Sequence, residues 1–239
     1  MFDELSVIRT KIDDIIRNDD FPSTIVPGFL REAVKDYPCR GGKRLRPALL
    51  AWSCGLLGGD IEKSFYAAAA AEIYHNWTLV HDDIIDNDDF RRGLPSSHKS
   101  LAKTAETCFP PGTDPYKFGT AFAILAGDIM QGWAVNMLMK SSGSGVSASV
   151  LSSLCRVMQE YVNRELISGE ALDVEFSYRE ISSVGHDEVL EMIRMKTGVL
   201  LGFCAGAGAA IALDCHDWEE PRIKALVRFA SLSGVAFQL

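Results

Sequence analysis

The stretch SFYAAAAAEIYHNWTLVHDDIID, residues 64–86, decides the fold. Its five consecutive alanines have the highest helix propensity of any residue, and neither proline nor glycine interrupts the run, so the stretch predicts one long helix. At 1.5 Å per residue that helix reaches roughly 35 Å, the width of a domain. Outward from it, apolar residues recur at helical spacing along most of the chain, and strict alternation over strand-length windows is hard to find. The class is therefore all-α. Further helices are predicted over 6–17, 46–57, 118–139, 148–168, 187–195, 198–213 and 220–237, separated by short Gly/Pro/Ser segments. CFPPGTDPY reads as an exposed loop, and SSGSGVS as a flexible turn.

With 239 residues and no evident linker, the expectation is a single domain over 1–239. A formal charge of −8 argues against general affinity for nucleic acid and leaves small anions to local basic clusters. Six cysteines without a CxxC pair suggest neither a zinc site nor a disulfide framework, so reduced thiols in a cytoplasmic protein are expected. The N-terminus lacks the basic-then-apolar order of a signal peptide. The longest apolar run, 197–213, is short for a membrane span and rich in Gly and Ala, which suits a buried helix. No membrane span is expected.

Three clusters carry the chemistry. HDDIIDNDDFRRG, residues 81–93, packs five aspartates and two arginines at the end of the long helix. Asp82 and Asp86 fall one turn apart on one face with Asp83 beside them, an arrangement that offers oxygens to magnesium or forms a solvated acidic turn. The helix dipole disfavours anions at this C-terminal end, which raises the odds of a metal role. By themselves Arg91 and Arg92 are ordinary ion partners for these aspartates. RGGKRLRP, residues 40–47, places Lys43, Arg44 and Arg46 over a short arc after two glycines. That suits a diphosphate, or simply a basic loop before a helix with Pro47 in its first turn. In MKTG, residues 195–198, Gly198 marks a break or kink that exposes Lys196 and Thr197 to a cavity, or an ordinary surface turn.

Taken in order, GGKRLRP, HDDIID with RRG, GEALD, KTG and a closing FQ resemble the trans-isoprenyl diphosphate synthases, the polyprenyl synthetase family, from Gly41 to Leu239. The resemblance implies an isoprenoid-synthase-type helical bundle around a central apolar cavity. It implies magnesium on Asp82 and Asp86, with Asp83 in the same motif, carrying an allylic diphosphate. By motif, Gly42, Lys43 and Arg46 correspond to groups that bind isopentenyl diphosphate, joined by Arg92 and His75. Arg91, Lys196 and Gln238 correspond to groups that hold the allylic diphosphate, with Thr197 beside them. Asp173 falls where the family has the aspartate of a GQ-x-x-D segment, and Glu170 stands in place of its glutamine. A homodimer is also implied.

The implied reaction is ionisation of an allylic carbon–oxygen bond, attack on the cation by the isopentenyl double bond, and loss of a proton. Trp77 precedes Asp82 by five residues, with Tyr74 roughly one turn deeper, and a large aromatic there is similar to the chain-length floor of short-chain members. The alternative is that Trp77 is core packing. A farnesyl or geranylgeranyl product is expected. The resemblance also leads one to look for a second aspartate-rich motif past FQ; no later DDxxD stands in these residues, so the C-terminal part of the enzyme is expected to be unrepresented. A second departure is the segment 101–117, read as a surface insertion. Beside the elongation enzyme stand two alternatives: a noncatalytic subunit of a heteromeric synthase, and a class I terpene cyclase. Lys43, Arg46 and Arg92 favour elongation over cyclisation, which needs no isopentenyl site.

Overall fold

The computed structural model describes residues 2–239, and the fold is all-α. Eleven α-helical segments occur among the described residues: α1 Phe2–Arg17, α2 Gly28–Cys39, α3 Leu45–Leu56, α4 Phe65–Ile85, α5 Ser97–Cys108, α6 Pro115–Met139, α7 Ala148–Arg156, α8 Asn163–Ser177, α9 His186–Ile193, α10 Val199–Leu213 and α11 Pro221–Gln238. π-helical turns over Val157–Val162 and Arg194–Gly198 join α7 to α8 and α9 to α10. A two-residue antiparallel ribbon, β1 Phe90–Arg91 with β2 Leu94–Pro95, pairs Phe90 with Pro95 and Arg91 with Leu94.

The chain divides into two compact units: residues up to Arg44 with Ala69–Met137, and Leu45–Ala68 with Leu138–Leu239. In the first unit, α1 buries Ile8, Ile12 and Ile16 at four-residue spacing, which puts all three on one face. Each such side chain contributes roughly 1.5–3 kcal/mol when removed from water. α2 buries Leu30, Val34 and Tyr37, although Pro38 lies inside its last turn. Without an N–H, that proline forgoes the bond to the Val34 carbonyl, so the last turn of α2 is held with one backbone hydrogen bond fewer. Trp133 of α6 stacks on Phe21 at 6.3 Å, and its indole N–H donates to Asp19 Oδ1 at 2.9 Å.

In the second unit, α10 buries twelve of its fifteen residues. Its glycines and alanines permit close packing: a Cβ on Gly208 would stand 2.1 Å from the Leu50 carbonyl oxygen of α3. Phe203 stacks on Trp218 at 5.9 Å, and the Trp218 indole N–H donates to Ser153 Oγ at 3.0 Å. The helix ends on Asp214, in the left-handed region at φ 47°.

The segment 101–117, read as a surface insertion, contains regular helix: α5 runs to Cys108 and α6 starts at Pro115, leaving a short connection between them. Its Phe109 ring is held against Phe118 at 4.7 Å, so the Pro-Pro-Gly turn is anchored by aromatic packing. Gly198 does not break its helix; the backbone passes through the π turn and continues into α10. Among the described residues two helices, Pro115–Ser144 and His186–Leu213, are long and apolar enough to cross a bilayer, and 67% of the most apolar window of the second is buried inside the protein, as in a core helix.

Candidate active site

In the first unit the aspartates sit where α4 ends. The Asp86 N–H still donates to the Asp82 carbonyl at 2.9 Å, so the helical spacing outlasts the helix by one residue. Beyond it Asn87 takes the left-handed region at φ 54° and turns the chain toward the ribbon. The aspartates then divide in role. Asp83 is fully buried, and a buried carboxylate requires strong partners. It has them: the Tyr37 hydroxyl donates to its Oδ2, and the Arg91 guanidinium to its Oδ1, with Nε at 2.7 Å. Burial and then the bond to Asp83 push the Tyr37 phenol well above its ordinary pKa, so it stays a donor. The same oxygen accepts from the Ser97 N–H at 2.9 Å, which ties the start of α5 into the network.

Asp82 is partly exposed and Asp86 exposed. Arg91 also reaches Asp82 at 3.3 Å and Asp88 at 3.4 Å, so its guanidinium neutralises the acidic turn as well as anchoring Asp83. Two carboxylates one turn apart, one of them open to solvent, fit magnesium, which takes one or two carboxylates together with substrate phosphates. Among the described residues no group of three or more His, Cys, Asp or Glu side chains is placed to hold a metal ion as a closed cage.

The basic loop divides similarly. Gly42 lies at φ 148°, and a Cβ there would meet the Arg92 guanidinium carbon at 3.3 Å. The guanidinium of Arg92 donates to the carbonyls of Gly41 and Tyr37, and burial lowers its pKa from the ordinary arginine value. Arg44 is fully occupied elsewhere: it is buried and donates to Asp13 at 2.9 Å, Glu72 at 2.5 Å and the Pro38 carbonyl at 2.6 Å. It is a structural cation, not one of the arc of diphosphate donors suggested by the sequence. Lys43 is exposed and has no ion pair among the described residues. Arg46 belongs to the second unit and is partly buried.

Tyr37 and Arg40 escaped the sequence reading as site residues. Arg40 clamps Asp36 at 2.8 and 2.6 Å and donates to the carbonyls of Arg91 at 3.0 Å and Pro95 at 2.7 Å, fastening the ribbon to α2. The signal for Tyr37 is the apolar spacing Leu30, Val34, Tyr37, which puts all three on the buried face of α2. On α4, His75 is partly buried; Tyr74 and Trp77 are buried with ring centroids 4.9 Å apart. The Trp77 indole N–H finds no acceptor among the described residues.

In the second unit Lys196 lies in the π turn, a rare form found often at functional sites. Its ammonium pairs with Glu170 at 2.9 Å and Asp173 at 2.7 Å, both on α8. Arg194 pairs with Glu165 at 2.7 Å and Glu191 at 2.6 Å, bonds that raise its pKa. Thr197 is partly buried, and Gln238 is exposed at the end of α11.

The sequence pattern of the Polyprenyl synthetase family matches residues 27–239. The chain belongs to the polyprenyl synthetase family. A geranylgeranyl pyrophosphate synthase from Geoglobus acetivorans is 35% identical over 99% of this chain and 64% of its own length. The solved geranylgeranyl pyrophosphate synthetase from Pyrococcus horikoshii superposes with a TM-score of 0.81 at 33% identity, covering 99% of this chain and 64% of that one. The Corynebacterium glutamicum geranylgeranyl pyrophosphate synthase, solved with isoprenyl diphosphate and magnesium, superposes with a TM-score of 0.81 at 28% identity, covering 98% of this chain and 66% of that one. The chain thus spans less than two thirds of the length of the Geoglobus relative.

Proposed function

We propose that this polyprenyl synthetase belongs to an enzyme that condenses isopentenyl diphosphate with an allylic diphosphate to make a short-chain, farnesyl or geranylgeranyl, product. The observation that carries the reading is the division within the aspartate motif. Asp83 is buried and neutralised by Arg91 and Tyr37, while Asp82 and Asp86 keep exposure at the end of α4. A merely solvated acidic turn needs no such internal anchor.

Asp82 and Asp86 are the residues that would hold magnesium, which when bound supplies positive charge to a departing diphosphate. By family motif, Lys43, Arg92 and His75 of the first unit, with the Gly42 backbone, are assigned to isopentenyl diphosphate and Arg91 to the allylic diphosphate; within the second unit, Arg46 is assigned to isopentenyl diphosphate and Lys196, Thr197 and Gln238 to the allylic diphosphate. The cationic side chains stabilise charge as it develops on the leaving oxygen, a task on which fixed charges act most strongly. Ionisation breaks the allylic carbon–oxygen bond, the isopentenyl double bond forms the new carbon–carbon bond, and a proton leaves. Trp77 and Tyr74 provide apolar wall, which keeps water from the cation and limits chain length. Six free cysteines support a reducing, cytoplasmic setting, and a homodimer is the proposed assembly.

Incubation with magnesium, isopentenyl diphosphate and each allylic primer, followed by product analysis, tests the reading. Chain-extended diphosphates support it. Cyclic hydrocarbon formed without isopentenyl diphosphate contradicts it, as does a chain that is inert alone and alters the products of an added synthase.

A further inference from the structure

The π turn is fastened to α8 at three points. Arg194 pairs with Glu165 at one end, and Lys196 pairs with Glu170 and Asp173 at the other. Between them a Cβ on Gly169 would stand 2.5 Å from the Lys196 amide nitrogen, so the two backbones are nearly in contact. The side chain of Lys196 is 26% exposed, that of Glu170 16% and that of Asp173 42%. The inner of its two carboxylates is therefore Glu170. Lys196 thus stands between two anions, and a diphosphate approaching it must compete with both for the same ammonium.

From this geometry we infer that Glu170 is a positioning residue that latches Lys196 onto α8 and thereby sets the affinity of this site for diphosphate. The inference rests on the reading of Lys196 as a diphosphate ligand. Aspartate alone would still orient the lysine, since Asp173 is the closer partner. Glu170 adds a second and more buried pair, strengthened by the low water content around it. A neutral amide of the same shape accepts a hydrogen bond from Lys196 without holding its charge. In Glu170→Gln the local charge rises by one unit, and both the repulsion of the incoming anion and the competition for the ammonium fall.

The experiment is calorimetric titration of the full chain with inorganic pyrophosphate, with and without magnesium. The proteins are wild type, E170Q, K196Q and the double variant, each checked for an unchanged thermal midpoint. E170Q is expected to bind about threefold to tenfold more tightly than wild type, the range of one partly buried ion pair. In the K196Q background the same substitution is expected to change affinity less than twofold, because the effect acts through the lysine. Damage to the fold cannot imitate the result, since damage weakens binding. E170Q equal to or weaker than wild type, with K196Q weaker still, overturns the latch and leaves Lys196 as a ligand. Equal affinity of wild type and K196Q overturns both the latch and the assignment of Lys196 on which it rests.

Discussion

Replacement of Tyr37 by phenylalanine removes one oxygen from the centre of the network around the aspartate motif. In the folded protein that oxygen donates to the buried Asp83 carboxylate and accepts from the Ser97 N–H at 2.9 Å. A hydrogen bond to a charged group contributes about 1.5–3 kcal/mol, and a buried amide left without an acceptor costs about 1–3 kcal/mol. The two losses share one site and overlap, so the expected destabilisation is about 3 kcal/mol. For a chain of this length each kcal/mol lowers the midpoint by roughly 2–4 °C, which places the fall at roughly 6–12 °C. The assay is calorimetric or circular-dichroism melting of wild type, Tyr37→Phe, Asp83→Asn and the double variant. Because Tyr37 and Asp83 are bonded directly, the single effects are expected to be non-additive by at least about 1 kcal/mol. A Tyr37→Phe midpoint within 1 °C of wild type, or strict additivity, refutes the anchoring role.

The buried ion cluster gives a second prediction: Arg44→Met leaves Glu72, 3% exposed, without its main counter-ion, and is expected to cost about 3–5 kcal/mol in urea unfolding. Adding Glu72→Leu should return part of that loss; no recovery would mean that the guanidinium acts mainly through Asp13 and the Pro38 carbonyl. His98 is 3% exposed, and its pKa is lowered first by burial and then by Lys99, against the opposite pull of Asp83, Asp89 and Asp88. Below about pH 6.5 the unfolded chain binds a proton there that the folded one resists, so this contribution to stability is present at neutral pH and lost on acidification, by at most about 1.4 kcal/mol per pH unit. His98→Gln is expected to flatten the profile between pH 7 and 5, and a slope equal to that of wild type counts against it. Trp77→Ala should lengthen the prenyl product seen by chromatography, and an unchanged distribution assigns Trp77 to core packing.

Long-range order in this chain was legible wherever a helix is uninterrupted. The alanine run and the Gly/Ala-rich 197–213 segment read directly, because propensity and apolar content agree with burial in the fold. α2 and α5 are absent from the helices predicted from the sequence. α2 carries Pro38 in its last turn, and α5 overlaps the segment 101–117, read as a surface insertion around its Pro-Pro-Gly. At the site, residue type located the charged clusters and could not apportion their charges. Arg44 and Lys43 are adjacent in sequence, yet one is buried in a salt bridge and the other exposed. Arg44 adopts φ 51°, a backbone state that no helix or loop pattern announces. The same limit hid Tyr37, whose role depends on a partner 46 residues away.

The central claim is that Asp82 and Asp86 bind a diphosphate through magnesium while Asp83 serves as their anchor. Its most direct measurement is the affinity of the full chain for pyrophosphate with and without magnesium, in wild type, Asp82→Asn and Asp86→Asn. The account predicts at least tenfold tighter binding with the metal in wild type, and loss of most of that gain in both variants. An affinity indifferent to magnesium, or a gain that survives both substitutions, would contradict it.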